Sequence, residues 1–250
     1  MKLWFSSIVI GSFLTNVSGF GVSSSSSKTS CRLGKSTSSL SMASSGPMGC
    51  RAIGIGSAAP KTVITNVDLE NVVETSDEWI QTRTGISQRH VLLNDTTEES
   101  IKTLGSDAAK HALEMADISP EDIDLVIVAT SSADDLFGDA TSVAASLGCK
   151  NAVAFDLTAA CSGFLFATVT AGQFLSNPFN SYKNAIVVGA DALSRWIDWE
   201  DRNSCILFGD GAGAMVLTTN DVDTDDSQTF GILGSSTHSN GLSYDYLKCE

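Results

Sequence analysis

No aspartate or glutamate occurs before Asp68 in this 250-residue chain, although twenty-nine follow from there on. Positive charge comes instead from Lys2, Lys28, Arg32 and Lys35, and serine-rich runs fill Ser23 to Ser45. Such a segment cannot bury enough apolar surface to order itself. A long hydrophobic run is also missing: Leu3 to Leu14 is too short to span a bilayer comfortably, so no stable membrane insertion is expected. Six cysteines, at positions 31, 50, 149, 161, 205 and 249, contain no C-x-x-C pair, which argues against a disulfide scaffold and structural zinc. His90, His111 and His238 share no metal-ligand spacing with the cysteines or with one another, and no metal is expected. Without the four amino-terminal cations, eleven Lys and Arg stand against twenty-nine acids, a net of −18 that makes nucleic acid a poor partner.

Lys2, the apolar stretch Leu3 to Leu14 and the small residues Val17-Ser18-Gly19 fit a secretory signal peptide over residues 1–19. The basic, acid-free, serine-rich tract over 20–50 has the composition of an organelle transit peptide, with Phe20 at its start. Signals in series imply a bipartite address, and the expected destination is the plastid; ordinary secretion is the alternative.

Beyond residue 50 the pattern alternates. Arg51 to Ser57 reads as an opening strand. Ile101, Leu104, Ala108, Ala112, Leu113 and Ala116 stand at helical spacing. Ser119-Pro120-Glu121-Asp122 reads as a capped helix start. Leu125 to Thr130, Ala152 to Asp156 and Ala185 to Val188 are short strands between helical segments, which argues for a parallel sheet with helices on its faces. Ile206 to Phe208 and Ala214 to Leu217 are expected to flank a glycine turn. That run, Gly209-Asp210-Gly211-Ala212-Gly213-Ala214, fits a dinucleotide fingerprint only superficially, because an apolar strand follows where a helix is required. Gly54 to Ala59 fails the same test, since Pro60 follows it.

Cys161 lies in DLTAACSGFLFATVTAGQFL (Asp156 to Leu175), with Ala159, Ala160, Ser162 and Gly163 around it. Phe164, Leu165, Phe166, Val169, Phe174 and Leu175 leave almost no polar face, so the helix is expected to run through the interior with its first amides aimed at the sulfur. Those amides and the helix dipole favour the nucleophilic thiolate. Cys149 and Cys205 read as small hydrophobes.

With NVDLENVVETSDEWIQTRTGISQRH (Asn66 to His90), VVGADALSRWIDWEDR (Val187 to Arg202) and FGDGAGAMVL (Phe208 to Leu217), the segment around Cys161 resembles the β-ketoacyl-acyl carrier protein synthase III enzymes of the thiolase superfamily, especially plastid and cyanobacterial members. The likeness runs from about Arg51 to the carboxyl terminus. Gly138 stands where the family often has proline, and Asn203-Ser204 where Gly-Thr is common.

The resemblance implies an α/β, thiolase-like layered αβαβα fold of which this chain holds the N-terminal half only, over 51–220, with 221–250 starting an incomplete second half. It implies an acyltransferase that moves acetyl from acetyl-CoA onto Cys161 and condenses it with malonyl-acyl carrier protein, losing carbon dioxide to give acetoacetyl-acyl carrier protein, with no cofactor beyond the acetyl-CoA substrate. Trp79, Arg83 and Arg202 match positions that hold the CoA nucleotide, Leu193 lines the acyl pocket, and Phe137 reaches a partner subunit's pocket, so a homodimer is expected. The carrier protein is acidic, and Arg83 and Arg202 are candidates for part of the basic patch that must offset the overall negative field. The family's catalytic His and Asn match none of His90, His111 and His238 and are expected beyond residue 250. Without them the chain alone is expected not to condense. The alternatives are another thiolase-superfamily synthase, of hydroxymethylglutaryl-CoA or secondary-metabolite type, or a non-catalytic CoA-binding fragment.

Overall fold

Alternation along two central strands divides the core of the computed structural model, which describes residues 49–92, 98–219, 231–239 and 241. Strand β4 (Leu125–Ala129) and strand β6 (Asn184–Ala192) are buried on both faces. Val126, Val128, Ile186 and Val188 point to one side, where they pack on helices α3 (Ile101–Ala116) and α4 (Ala140–Leu147). Leu125, Ile127, Ala185 and Val187 point to the other side, against helix α5 (Gly163–Leu175). The two-residue side-chain period of a strand thus produces a helix–sheet–helix sandwich. Each fully buried Val, Leu or Ile contributes about 1.5–3 kcal/mol of apolar transfer free energy.

The sheet has the order β1-β7-β6-β4-β5, with β1 Cys50–Ala58, β5 Val153–Leu157 and β7 Asp210–Thr219. β5, β4 and β6 run parallel, whereas β7 is antiparallel to both β6 and β1. The expected parallel sheet is therefore mixed. The glycine run is not a turn either: Asp210 to Ala214 lie inside β7, all paired with β6 and Ala212 to Ala214 with β1 as well, and Ile206 to Phe208, read as a strand, form a turn after the short helix α6 (Arg202–Cys205).

Gly54 and Gly56 of β1 serve packing rather than phosphate binding. A Cβ at either would run into the backbone of α3, at the carbonyl oxygens of Ala112 and Ala108. α3 is closed by Ser100 and Thr103 in a reciprocal capping box, and its buried stripe is Ile101, Leu104, Gly105, Ala108, Ala109, Ala112 and Leu113. Ser119-Pro120 starts only a single 3-10 turn, Pro120–Asp122.

A smaller lobe is formed by the hairpin of β2 (Val63–Thr65) and β3 (Gln88–His90), with α1 (Asn66–Leu69) and α2 (Asp77–Thr84) between them. Leu69, Ile80, Cys205 and Ile206 make its own small core.

The expected signal and transit segments lie outside the described residues, except that Cys50, placed at the end of the second, is fully buried in β1. Residues 221–230 and most of 240–250 also lie outside them. No helix among the described residues is long and apolar enough to cross a membrane.

Candidate active site

The carboxyl ends of β6, β4 and β5 lie side by side, and each is followed by a segment carrying one candidate residue: Leu193, Phe137 and Cys161 respectively. Loops at this edge of parallel strands are the usual place for ligand chemistry. Thr158 Oγ1 donates to the Thr130 carbonyl at 2.9 Å, which ties the exit of β5 to that of β4. Ala160 then takes a left-handed conformation, φ 46, costing a non-glycine residue about 1–2 kcal/mol. Cys161 follows in a 3-10 turn, Ala160–Ser162, directly before α5. Gly163 sits against Ala129 and the Phe164 ring lies on Gly189, so small residues let the helix start press down on the sheet.

Cys161 is exposed, whereas Cys50, Cys149 and Cys205 are buried. Burial pushes those three thiols up, Cys149 to about 11, which keeps them protonated. The expectation of a helix enclosed on all sides is corrected within this chain. Gly163, Ala167, Ala171 and Leu175 face the sheet, but Leu165 is 54% exposed and Phe164 37%.

Behind the thiol, Asp191 of β6 accepts from Ser131 N–H at 2.8 Å and from Ser132 Oγ at 3.1 Å, while Ser132 Oγ accepts from Ala192 N–H at 2.7 Å. The exits of β4 and β6 are locked by these bonds. Arg195, in the turn that begins at Leu193, donates to Asp134 at 2.9 Å across a mostly buried ion pair. Asp134 belongs to the loop that bears Phe137. Phe137 itself is 94% exposed and Leu136 93%, while Leu193 is half-buried. Gly138 has φ +96, which proline's ring forbids, so the departure from the family's proline carries a different loop course. Asp139 behind it is fully buried; Asp134 N–H reaches its Oδ2 at 2.7 Å, but its Oδ1 and the Oδ1 of Asp156 have no partner.

Trp79, Arg83 and Arg202 meet although they come from distant segments. The Arg83 guanidinium lies 4.2 Å from the Trp79 ring centroid and that of Arg202 lies 4.5 Å away. Arg83 stands one turn beyond Trp79 on α2, whose Ser76 cap accepts from Trp79 N–H at 3.1 Å. Arg202 opens α6, capped by Asp201, and donates to the Glu74 carbonyl at 3.2 Å. An indole between two cations offers a flat apolar face and positive charge together.

Sequence reading passed over Asp191, Asp139, Arg89 and Asp210. Asp210 accepts from Leu92 N–H at 2.6 Å and Ser194 N–H at 2.9 Å and bonds the Ser194 hydroxyl, which fixes the turn beginning at Leu193. Its place in the glycine run was the available signal. Among the described residues no cluster of three or more His, Cys, Asp or Glu could hold a metal ion.

An exposed cysteine at the carboxyl edge of this mixed sheet, with an apolar helix starting beside it, places the chain among thiolase-like α/β folds. The chain aligns with 3-oxoacyl-acyl carrier protein synthase III from Aquifex aeolicus at TM-score 0.61 and 46% identity, over 69% of this chain and 55% of that one. It also aligns with the priming β-ketosynthase of the R1128 polyketide biosynthetic pathway at TM-score 0.65 and 35% identity, over 71% and 52%.

In sequence, residues 155–241 match the model for 3-oxoacyl-acyl carrier protein synthase III. The β-ketoacyl-acyl carrier protein synthase III of Acaryochloris marina is 51% identical over 81% of this chain and 57% of its own length. That of Thermosynechococcus vestitus is 57% identical over 70% and 52%. The chain belongs to the β-ketoacyl-acyl carrier protein synthase III family, and it spans about half the length of the curated relatives it matches.

Proposed function

We propose that Cys161 takes the acetyl group of acetyl-CoA as the first step of fatty acid synthesis and passes it to malonyl-acyl carrier protein. The thiolate attacks the thioester carbonyl carbon, the bond to the CoA sulfur breaks, and CoA leaves as its thiolate, which takes up a proton equivalent to the one Cys161 gave up. Malonyl-acyl carrier protein then loses carbon dioxide; its carbanion attacks the acyl-Cys161 carbonyl, a carbon–carbon bond forms, and the Cys161 thiolate departs. The observation that carries this reading is the contrast, among the described residues, between one exposed thiol, placed before a helix at the strand ends, and three buried ones. Trp79, Arg83 and Arg202 would hold the CoA nucleotide, the indole stacking on adenine and the guanidinium groups meeting phosphate. No resident cofactor is needed for either step. Nδ1 of His90 and Nδ1 of His111 lie 2.6 and 3.0 Å from the carbonyl oxygens of Pro60 and Ser57.

A homodimer belongs to the same reading. β5 ends the sheet with a neighbour on one side only, and the exposed Leu136 and Phe137 lie in the loop beyond the adjacent strand. Such an edge invites a second strand. Delivery to a plastid is supported by the acid-free, serine-rich, basic composition of residues 20–48. Secretion of a fluorescent protein fused to residues 1–50 would reject it.

Incubation with acetyl-CoA followed by peptide mass mapping tests the central claim. One acetyl group on Cys161, lost in Cys161→Ala, is expected. No label, or label elsewhere, overturns it.

A further inference from the structure

Arg89 of β3 is 5% exposed, and among the described residues no carboxylate lies within ion-pair range of it. A buried guanidinium without a counter-ion is costly and persists only where its donors are well used. Here its two Nη atoms reach three acceptors, on β2, on α1 directly after it and at the end of α6, while Nε is buried with no partner among the described residues. Nη1 donates to the Ile64 carbonyl at 3.2 Å, and Nη2 donates to Asn66 Oδ1 at 2.9 Å and to the Ile206 carbonyl at 3.2 Å.

Two of these acceptors lead to the indole–guanidinium stack. The Asn66 amide donates to Asp77 Oδ1 at 2.8 Å and to the Ile86 carbonyl at 2.7 Å. Asp77 is the first residue of α2 and Ile86 follows its C-cap Gly85, so Asn66 holds both ends of the helix that carries Trp79 and Arg83. Ile206 is the C-cap of α6, which begins at Arg202. Arg89 therefore joins the holder of α2 directly to the end of α6. A Cβ added at Gly209 would lie 3.1 Å from both Arg89 Cβ and the His90 carbonyl oxygen, so the bare glycine lets this stretch press closely on β3.

We propose that Arg89 is a positioning residue that sets the separation of α2 from α6, and with it the spacing between Trp79 and Arg202 at the nucleotide site. This rests on the reading of Trp79, Arg83 and Arg202 as that site. Arginine suits the task because a planar fork reaches acceptors on several sides at once, whereas a lysine ammonium at the same place is a single point donor.

The test uses Arg89→Met and Arg89→Lys in the whole chain, with readouts that separate positioning from general support. Ring currents of Trp79 shift the side-chain NMR resonances of both arginines stacked on it. In Arg89→Met the shift of Arg202 should fall by at least half, while that of Arg83, one turn along the same helix, stays. CoA titration should show at least a tenfold weaker Kd, with the rate of Cys161 alkylation by iodoacetamide within twofold of the parent. Arg89→Lys should be intermediate in both, and it supplies the same reading should Arg89→Met fail to fold. An unchanged Arg202 shift in either folded variant overturns the proposal, as does equal loss of both shifts. Failure of the parent chain to bind CoA would instead sink the nucleotide reading, and the Arg202 shift would still decide the role of Arg89.

Discussion

The α2–α6 clamp and the loop after β4 are both rich in aspartate, yet they treat it in opposite ways. In the clamp the two named carboxylates, Asp77 and Asp201, are half-buried and well served. Asp77 accepts from Gln81 and Asn66, and Asp201 from Asn203 and Ser204; these hydrogen bonds hold both carboxyls below the usual carboxylate range. In the loop, Asp139 is buried, and burial pushes its carboxyl up, reinforced by the charges of Asp134 and Asp156 and opposed by Asp134 N–H and Lys102. Oδ1 of Asp139, and Oδ1 of Asp156 on β5, whose other oxygen accepts from Ala140 N–H at 3.0 Å, are buried without a partner among the described residues. The clamp also leaves buried polar atoms unserved, at Thr75 Oγ1 and Arg89 Nε, but only the loop sets the unmet atoms on carboxyl groups.

Two glycines give the widest separation between the regions. Gly138→Ala adds a Cβ that meets the Asp156 carboxylate while the backbone remains at φ +96, and a loss of about 2–4 kcal/mol is expected in denaturant unfolding. Gly85→Ala, at φ +73 in the clamp with nothing within 4 Å of the new methyl, should cost only about 1 kcal/mol. Equal losses would erase the contrast.

Asp139→Asn tests the loop next. A carboxyl whose folded pKa is raised contributes stability that is complete below its unfolded pKa, near 3.9, and is lost as pH rises through the folded value. The Asn variant should therefore match the parent near pH 4 and exceed it at pH 8, by on the order of 1 kcal/mol, the cost of one unpartnered buried polar atom. Thermal melts across that range provide the check, and a gap that narrows with pH contradicts the assignment. The smallest effect belongs to the clamp. Asp201→Asn removes a lowered carboxyl, whose stabilising contribution is present above its unfolded pKa and lost as pH falls through the folded one. Its melting deficit should shrink on acidification, opposite in sign to the loop variant.

Helix α3 and strands β4 and β6 were legible because one apolar stripe or one unbroken β-branched run leaves a single sensible partner surface. Trp79, Arg83, Arg202 and Cys161 were legible through motifs, and the first three do converge. β7 was not. The glycines before Met215 look like a turn locally, and only pairing with β6, joined by β1 from Ala212 onward, draws Gly211 and Gly213 into a strand. The exposed face of α5 was hidden too: with apolar residues all round, hydrophobicity gives no direction, and size decides. Small Gly163, Ala167 and Ala171 take the sheet side, leaving Phe164 and Leu165 outward. Arg89 sits at the end of a motif that was noticed, but the acceptors it unites lie on separate segments and no local spacing names them.

Arg83 and Arg202 both lie against the Trp79 ring, at 4.2 and 4.5 Å from its centroid. Each such cation–π contact is worth about 0.5–2 kcal/mol. One indole is thereby fixed from two stretches far apart in sequence, and a change in either stretch tells on the orientation of the same ring.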